Sequence, residues 1–154
     1  MNPSNFKKII NLLYTMLALG MIAFTAVTFY LTINDQHFNI PATSDTFLFL
    51  VPTVILLAIV VGNFLFQKLI RAVNEAKMLQ QKVTIGFTSN IVRFALIEGA
   101  ILLGVIALLS TANLFYMVFI VIGFMYFISL KPTDKKIKRD LMLSHDEAQE
   151  LGIM

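Results

Sequence analysis

Glu98 stands inside a long apolar run, a setting in which a carboxyl group is rarely found without a purpose. The cation nearest to it along the chain is Arg93, about 7.5 Å away on a helix that rises ~1.5 Å per residue. A charged carboxylate at the centre of a bilayer costs on the order of 2–3 kcal/mol, so it needs protein or water around it. The chemistry favoured here is either a proton or cation site or a polar clamp between helices.

Partners for Glu98 can be sought by counting depth from the cations that flank each apolar run. Asn63 and Tyr126 each lie five residues inside such a cation, as Glu98 does from Arg93, and Tyr14 is within a helical turn of that layer. A five-residue offset turns Arg93 about 140° around the helix from Glu98, which makes it a poor partner within the helix. The candidate intramembrane site is therefore these five residues, with Asn63 and Tyr126 as the expected neighbours of the carboxyl group.

Small residues on the same helix favour close packing against another helix. Ala95 and Gly99, and then Ala100 and Gly104, have the small-x-x-x-small spacing that lets two backbones approach. Their expected role is helix packing, within the chain or with a partner.

The segment 94–109, FALIEGAILLGVIALL, resembles the carboxylate-bearing second helix of the rotary ATPase proteolipid, the ring-forming c subunit. The resemblance implies that Glu98 carries a transported ion in a membrane oligomer. It covers only this helix, and only Glu98 carries over. The family's glycine-rich first helix has no counterpart, since the second apolar run has only Gly62, and we do not assign the chain to the family.

Four apolar runs supply the elements that would position these residues. Apolar residues make up 58% of the 154 residues against 14% charged, with a mean hydropathy of +0.81, which is typical of a membrane protein. We predict an all-α fold with four transmembrane helices in an up-down bundle. The predicted spans are 9–33, 47–67, 93–112 and 114–130. A signal peptide is the alternative for the first run, which is longer than such a segment needs.

The flanking charges predict the orientation of the bundle. All 12 Lys and Arg residues lie before the first run, between the second and third, at the start of the third, or after the fourth. The positive-inside rule then places both ends in the cytoplasm, in a multi-pass cell-membrane protein such as one of a bacterial inner membrane. The connection 68–86 is predicted to be a cytoplasmic helical hairpin, reversing near 74–80, that either is solvated or docks a partner.

The tail 131–154 is first basic and then acidic. Five cations are expected to contact anionic lipid headgroups: Lys131, Lys135, Lys136, Lys138 and Arg139. Ile137, Leu141 and Met142 are expected to lie towards the headgroups, with the end of the chain solvated or bound to a partner. Ser144 and Glu147 have capping-box spacing, which predicts a short helix over 145–151.

The same residues exclude several functions. The chain has no cysteine, no phosphate-binding glycine loop and no zinc-protease motif, so we expect neither an enzyme nor a cofactor or metal centre. Its cations flank apolar runs instead of forming a basic stripe with aromatics, so no nucleic acid is expected. The expected function is a structural or accessory membrane subunit that binds lipid and a homo-oligomeric or other membrane partner. The alternative is a proton- or cation-handling oligomer that uses Glu98.

Overall fold

The computed structural model describes residues 5–76 and 78–153, which form an all-helical bundle without a strand in these ranges. The four long helices are α1 (Phe6–Thr32), α2 (Thr46–Ile70), α3 (Leu79–Thr111) and α4 (Phe115–Ser129). Two short helices follow, α5 (Asp134–Asp140) and α6 (His145–Glu150). The predicted all-α class is confirmed. Three of the helices are long and apolar enough to cross a membrane, or four if α4 and α5 together make one bent span.

The helices keep close to the predicted runs except at the start of α3. That helix begins 14 residues before the predicted span, at Leu79 instead of Arg93. The added turns contain several weak helix formers, so burial of one face, at Val83, Gly86 and Ser89, stabilises them more than helix propensity does. α2 ends in a 3-10 turn over Arg71–Glu75, and the chain reverses between Glu75 and Leu79, inside the predicted window. Lys77 of the predicted hairpin lies outside the described residues.

α3 is the central helix and packs against α1, α2 and α4. Two reciprocal contacts bring α3 and α4 close together. A Cβ atom on Gly104 of α3 would lie 2.9 Å from Cγ1 of Ile120, and one on Gly123 of α4 would lie 2.8 Å from Cγ1 of Ile101. Each glycine therefore makes room for an isoleucine of the other helix.

Large apolar side chains remain exposed on the outward faces of the bundle. They include Leu19, Phe24 and Leu31 on α1, and Leu56, Val60 and Phe64 on α2. A water-soluble monomer rarely exposes a continuous apolar surface of this extent. Together with the length of the helices, this surface indicates a multi-pass membrane protein.

At one end of the bundle, hydrogen bonds join the α1–α2 loop to the α3–α4 turn. The amide of Asn113 donates from Nδ2 to the Asn39 carbonyl at 2.9 Å, and the His37 carbonyl accepts from the Leu114 N–H at 2.9 Å. Asp45 caps α2 through the Phe47 N–H at 2.9 Å. Its other oxygen accepts from the hydroxyl of the buried Tyr116 at 2.6 Å, which ties the start of α2 to α4.

The other end, which we call the basic end, carries the start of α1, the α2–α3 connection and the tail 131–153. The tail folds back across this end, since α5 bends 72° from α4. Lys7 of α1 forms an ion pair with Asp134 at 2.7 Å, and Leu141 packs into the space beside Gly86 of α3. α6 has the predicted capping box of Ser144 and Glu147.

The expectation of a solvated tail with headgroup-facing apolar residues is wrong for most of its apolar side chains. Six of them are buried, and they are Ile137, Leu141, Leu143, Ala148, Leu151 and Ile153. Burial against the bundle removes apolar area from water without any need for lipid, which favours a folded cap over an extended tail.

Candidate functional site

The polar residues of the bundle gather around Arg93 of α3. Its Nη2 donates to Oδ1 of Asn63 on α2 and, at 3.2 Å, to the hydroxyl of Tyr126 on α4. That hydroxyl donates to the same Asn63 oxygen at 2.9 Å. The three side chains form a closed triangle of hydrogen bonds that joins three helices at one depth, which we call the Arg93 cluster.

The local sequence explains why the three helices meet here. Gly62 precedes Asn63, and a Cβ atom on it would lie 3.7 Å from Cγ of Arg93, so the arginine stem crosses α2 directly over the glycine. Phe66 lies one turn further along α2, and its ring centroid is 4.9 Å from the guanidinium carbon. The ring face attracts the guanidinium in a cation–π contact, which stabilises Arg93 in addition to its hydrogen bonds to neutral groups.

In the part of the chain that the structure describes, the guanidinium of Arg93 has neutral partners but no anionic one. Within residues 5–76 and 78–153, Arg93 forms no ion pair, and its buried Nε has no hydrogen-bond acceptor. An arginine keeps its charge in proteins, and burial without a counter-ion is unfavourable. Among the residues described, the cluster therefore carries a positive charge that no carboxylate compensates.

Glu98 does not join this cluster. It is half-buried on α3, and no hydrogen bond or ion pair connects it to another side chain in the described part of the protein. The expected layer of Asn63 and Tyr126 exists, but these residues bind Arg93 and leave Glu98 alone, which corrects the predicted arrangement. Arg93 faces α2 and α4, and Glu98 lies about 140° away from it around α3.

Tyr14 belongs to an aromatic cluster instead. Its ring stacks on Phe127 with centroids 4.9 Å apart and meets Phe94 edge-on at 5.6 Å. Its hydroxyl donates to the Phe127 carbonyl at 3.3 Å, near the end of α4. The residue therefore packs α1 against α3 and α4, and its hydrogen bond lies with the α4 backbone, not with Glu98.

The two pairs of small residues on α3 have different surroundings. Ala100 and Gly104 are buried in the interior of the bundle. Ala95 and Gly99 are exposed, and no atom lies within 4 Å of a Cβ atom built on Gly99. The first pair packs helices within the chain, as the spacing predicts, whereas the second pair is exposed and no described helix covers Gly99.

The expected headgroup residues are also not equivalent. Lys131, Lys135, Lys138 and Arg139 are exposed. Lys136 is half-buried and donates to the carbonyls of Ser129 and, at 3.3 Å, Lys131, so it covers the end of α4. Cations at a helix C-terminus are stabilised by its exposed carbonyl groups.

A cavity of about 190 Å³ lies between the tail and the bundle, beside the Arg93 cluster. Its wall contains Arg93 and Asn90 of α3, Phe6 of α1, and Lys136 and Arg139 of α5. The sequence predicted neither this cavity nor a role for Asn90. The position of Asn90, one helical turn before Arg93, was the available signal, since residues three apart share a helix face.

A comparison of the chain with profiles of known protein families, with curated proteins and with solved structures finds no match.

Proposed function

We propose that the chain is an accessory or structural subunit of a membrane complex. It crosses the cell membrane four times, as in a bacterial inner membrane, with both ends in the cytoplasm. Three observations support this topology. Four apolar helices pack as a bundle, the exposed side chains on their outward faces are apolar, and the described cations cluster at the basic end.

The length of α4 sets a condition on this topology. Its 15 residues span roughly 22 Å, less than the ~30 Å hydrocarbon core of a typical bilayer. A short span is accommodated by local thinning of the bilayer and by flanking cations that reach the headgroups. Lys131, directly after α4, is placed to do this, and the bend into α5 lets the chain leave the membrane there.

The accessory function rests on the uncovered face of α3 formed by Ala95, Glu98 and Gly99. Small residues there leave room for the backbone of another helix. Glu98, at the edge of this face, has no partner within the described residues, although a charged side chain in lipid is costly. A transmembrane helix that fills this face and donates hydrogen bonds to Glu98 satisfies both needs.

The chemistry of Glu98 favours a different protein over a second copy of this chain. In a two-fold dimer through this face, the same residue of each copy lies near the symmetry axis, which brings two carboxylates together. Like charges in a low-dielectric setting repel unless one is protonated. The expected partner helix therefore carries Lys, Arg, His or an amide side chain opposite Glu98.

Co-purification in mild detergent tests the accessory function. Gly99→Leu fills the uncovered face and Glu98→Gln removes its charge, while Ala23→Leu makes a matched change on the exposed side of α1. We expect Gly99→Leu to release the partner, Glu98→Gln to weaken its retention, and Ala23→Leu to change nothing. Partners that remain bound to all three variants would show that α3 is not the docking helix.

Proton or cation handling by an oligomer remains the alternative use of Glu98. It loses support from the geometry, because the polar residues expected around the carboxyl group surround Arg93 instead. Glu98→Gln also separates the two functions. An ion-handling oligomer loses pH- or gradient-dependent flux while it still assembles, whereas an accessory subunit loses partner retention.

The absence of cysteine makes the topology directly testable by single-cysteine labelling with a membrane-impermeant reagent. Thr43→Cys, in the α1–α2 loop, should be labelled from outside intact cells. Gln80→Cys, near the α2–α3 reversal, and Gln149→Cys, in the tail, should be labelled only after the membrane is opened. Labelling of Gln149→Cys in intact cells contradicts the four-span arrangement.

A further inference from the structure

The cavity between the tail and the bundle has an excess of positive charge. Its wall includes three cations, Arg93, Lys136 and Arg139, and within the described ranges a single carboxylate, that of Asp140. Asp140 accepts from Nε of Arg139 at 2.9 Å, so this carboxylate is already paired. The hydrogen bonds of the other two cations within the described residues are all to neutral oxygens.

The cations come from two elements that the fold brings together, Arg93 from α3 and the other two from α5. Arg93 is anchored by its hydrogen bonds to Asn63 and Tyr126. Within the described residues both bonds use Nη2, and the other guanidinium nitrogens have no hydrogen-bond partner. Lys136 is held against the end of α4, and Asn90 adds an amide to the wall. Positively charged donors held in place on a rigid scaffold favour an oxyanion, because little side-chain entropy is lost on binding.

The cavity also lies where the apolar helices end. Ser129 and Leu130 at the end of α4, and Phe6 at the start of α1, are part of its wall. In a bilayer this level corresponds to the headgroups, where phosphate is the most abundant anion. Its volume of about 190 Å³ is sufficient for a phosphate group but not for a large ligand.

We infer that this cavity is a binding site for a phosphate oxyanion, held by Arg93, Lys136 and Arg139. The phosphate belongs either to the headgroup of an anionic lipid or to free inorganic phosphate. Bound there, it neutralises the charge of the Arg93 cluster and bridges α3 to the tail, which stabilises the folded cap at the basic end.

The test uses the full chain purified in detergent. Native mass spectrometry measures retention of added phosphatidylglycerol, with phosphatidylcholine as the zwitterionic control. In parallel, thermal unfolding is followed while inorganic phosphate replaces chloride at constant ionic strength. Retention of phosphatidylglycerol without an effect of inorganic phosphate identifies the lipid as the source, and stabilisation by inorganic phosphate that also displaces the lipid identifies the free anion.

Variants on α5 distinguish a built site from a generally basic surface. Lys136→Gln and Arg139→Gln each remove a cation from the cavity wall, and Lys135→Gln removes an exposed cation of the same helix that lies outside the wall. We expect each of the first two to weaken phosphate binding about fivefold, and Lys135→Gln by less than about twofold. Arg93 is left intact, because it also holds three helices together.

Two outcomes overturn the inference. The first is an equal loss of binding in Lys135→Gln and Lys136→Gln, which would mean that the anion responds only to the overall charge of the tail. The second is that neither phosphatidylglycerol nor inorganic phosphate binds better than phosphatidylcholine or chloride. Unchanged unfolding temperatures of the variants in chloride establish that a loss of binding is not a loss of fold.

Discussion

Nζ of Lys82 lies 2.8 and 2.9 Å from the two carboxylate oxygens of Glu147, so α3 and α6 are joined by a bidentate ion pair across 65 residues of sequence. One of these oxygens also accepts from the Ser144 N–H at 2.8 Å and completes the capping box of α6. The same carboxylate therefore starts the last helix and fixes it to the bundle. Both side chains are mostly shielded from solvent, which strengthens the pair relative to a fully exposed one.

This pair should make the stability of the tail depend on pH. The hydrogen bond from Lys82, aided by that from Ser144, lowers the pKa of Glu147 below its ordinary value of 4.5. A lowered folded-state pKa contributes stability that is complete above the unfolded-state pKa and is lost as the pH falls through the folded-state value. Thermal unfolding followed by circular dichroism should therefore show a constant midpoint near neutral pH and a decline in acid.

Glu147→Gln should reduce that decline and lower the midpoint at neutral pH. Glu150→Gln, on the exposed side of the same helix, is the matched control and should leave the decline in place. An acid decline of the same size in Glu147→Gln and in the original protein would exclude the pair as its cause.

Gly86 and Gly20 should respond in opposite directions to the same substitution. A Cβ atom on Gly86 would overlap Cδ2 of Leu141, whereas nothing lies within 4 Å of one on Gly20. Gly20→Ala should stabilise the protein by about 0.5–1 kcal/mol, because alanine favours the helix. Gly86→Ala gains the same propensity but must displace Leu141, at a cost of about 1–3 kcal/mol, so a net loss is expected.

Limited proteolysis should show whether Gly86→Ala loosens the tail in particular or destabilises the protein in general. Displacement of Leu141 loosens α5 from α3, so cleavage within 131–153 should become faster in Gly86→Ala and stay unchanged in Gly20→Ala. Equal cleavage rates in the two variants would show that the tail does not depend on this contact.

Tyr126→Phe tests the Arg93 cluster. The change removes the hydroxyl that donates to Asn63 and accepts from Arg93, and it leaves the ring in place. We expect a loss of about 1 kcal/mol, the usual value for a hydrogen bond in a folded or membrane protein. Tyr30→Phe is the matched control, since Tyr30 is 74% exposed, and it should be neutral in the same thermal or denaturant measurement.

A double-mutant cycle of Tyr126→Phe with Asn63→Leu measures whether the cluster acts as a unit. If the three groups are coupled, the double variant should lose less stability than the sum of the losses in the two single variants. Strict additivity would mean that the two side chains stabilise the bundle independently.

Tyr116→Phe tests the opposite end of the bundle. The fully buried hydroxyl donates to Asp45, which also caps α2, so its removal leaves a carboxylate oxygen without this donor. Loss of a hydrogen bond to a charged group typically costs about 1.5–3 kcal/mol. The unfolding midpoint should fall more for Tyr116→Phe than for Tyr126→Phe, and the reverse order would contradict the assignment of the stronger bond to Asp45.

The sequence by itself determined where the four apolar runs lie, because long apolar runs and their flanking charges are local properties of the chain. It also predicted the reversal between α2 and α3, and the capped helix that begins after Ser144, since caps and helix propensity depend on neighbouring residues. Counting depth predicted one layer for Asn63 and Tyr126, because helical rise is nearly constant, and the two side chains share a hydrogen bond of 2.9 Å.

Only the tertiary structure decided which residues of that layer meet. Rise along a helix can be counted from sequence, but the residues that a helix turns towards its neighbours depend on how the helices pack. In this packing Asn63 and Tyr126 bind Arg93 and not Glu98. The same holds for the tail. From sequence, an apolar side chain such as Leu141 could be buried either by lipid or by protein. In the structure Leu141 is buried by protein, because it fits the space beside Gly86, a residue distant in sequence.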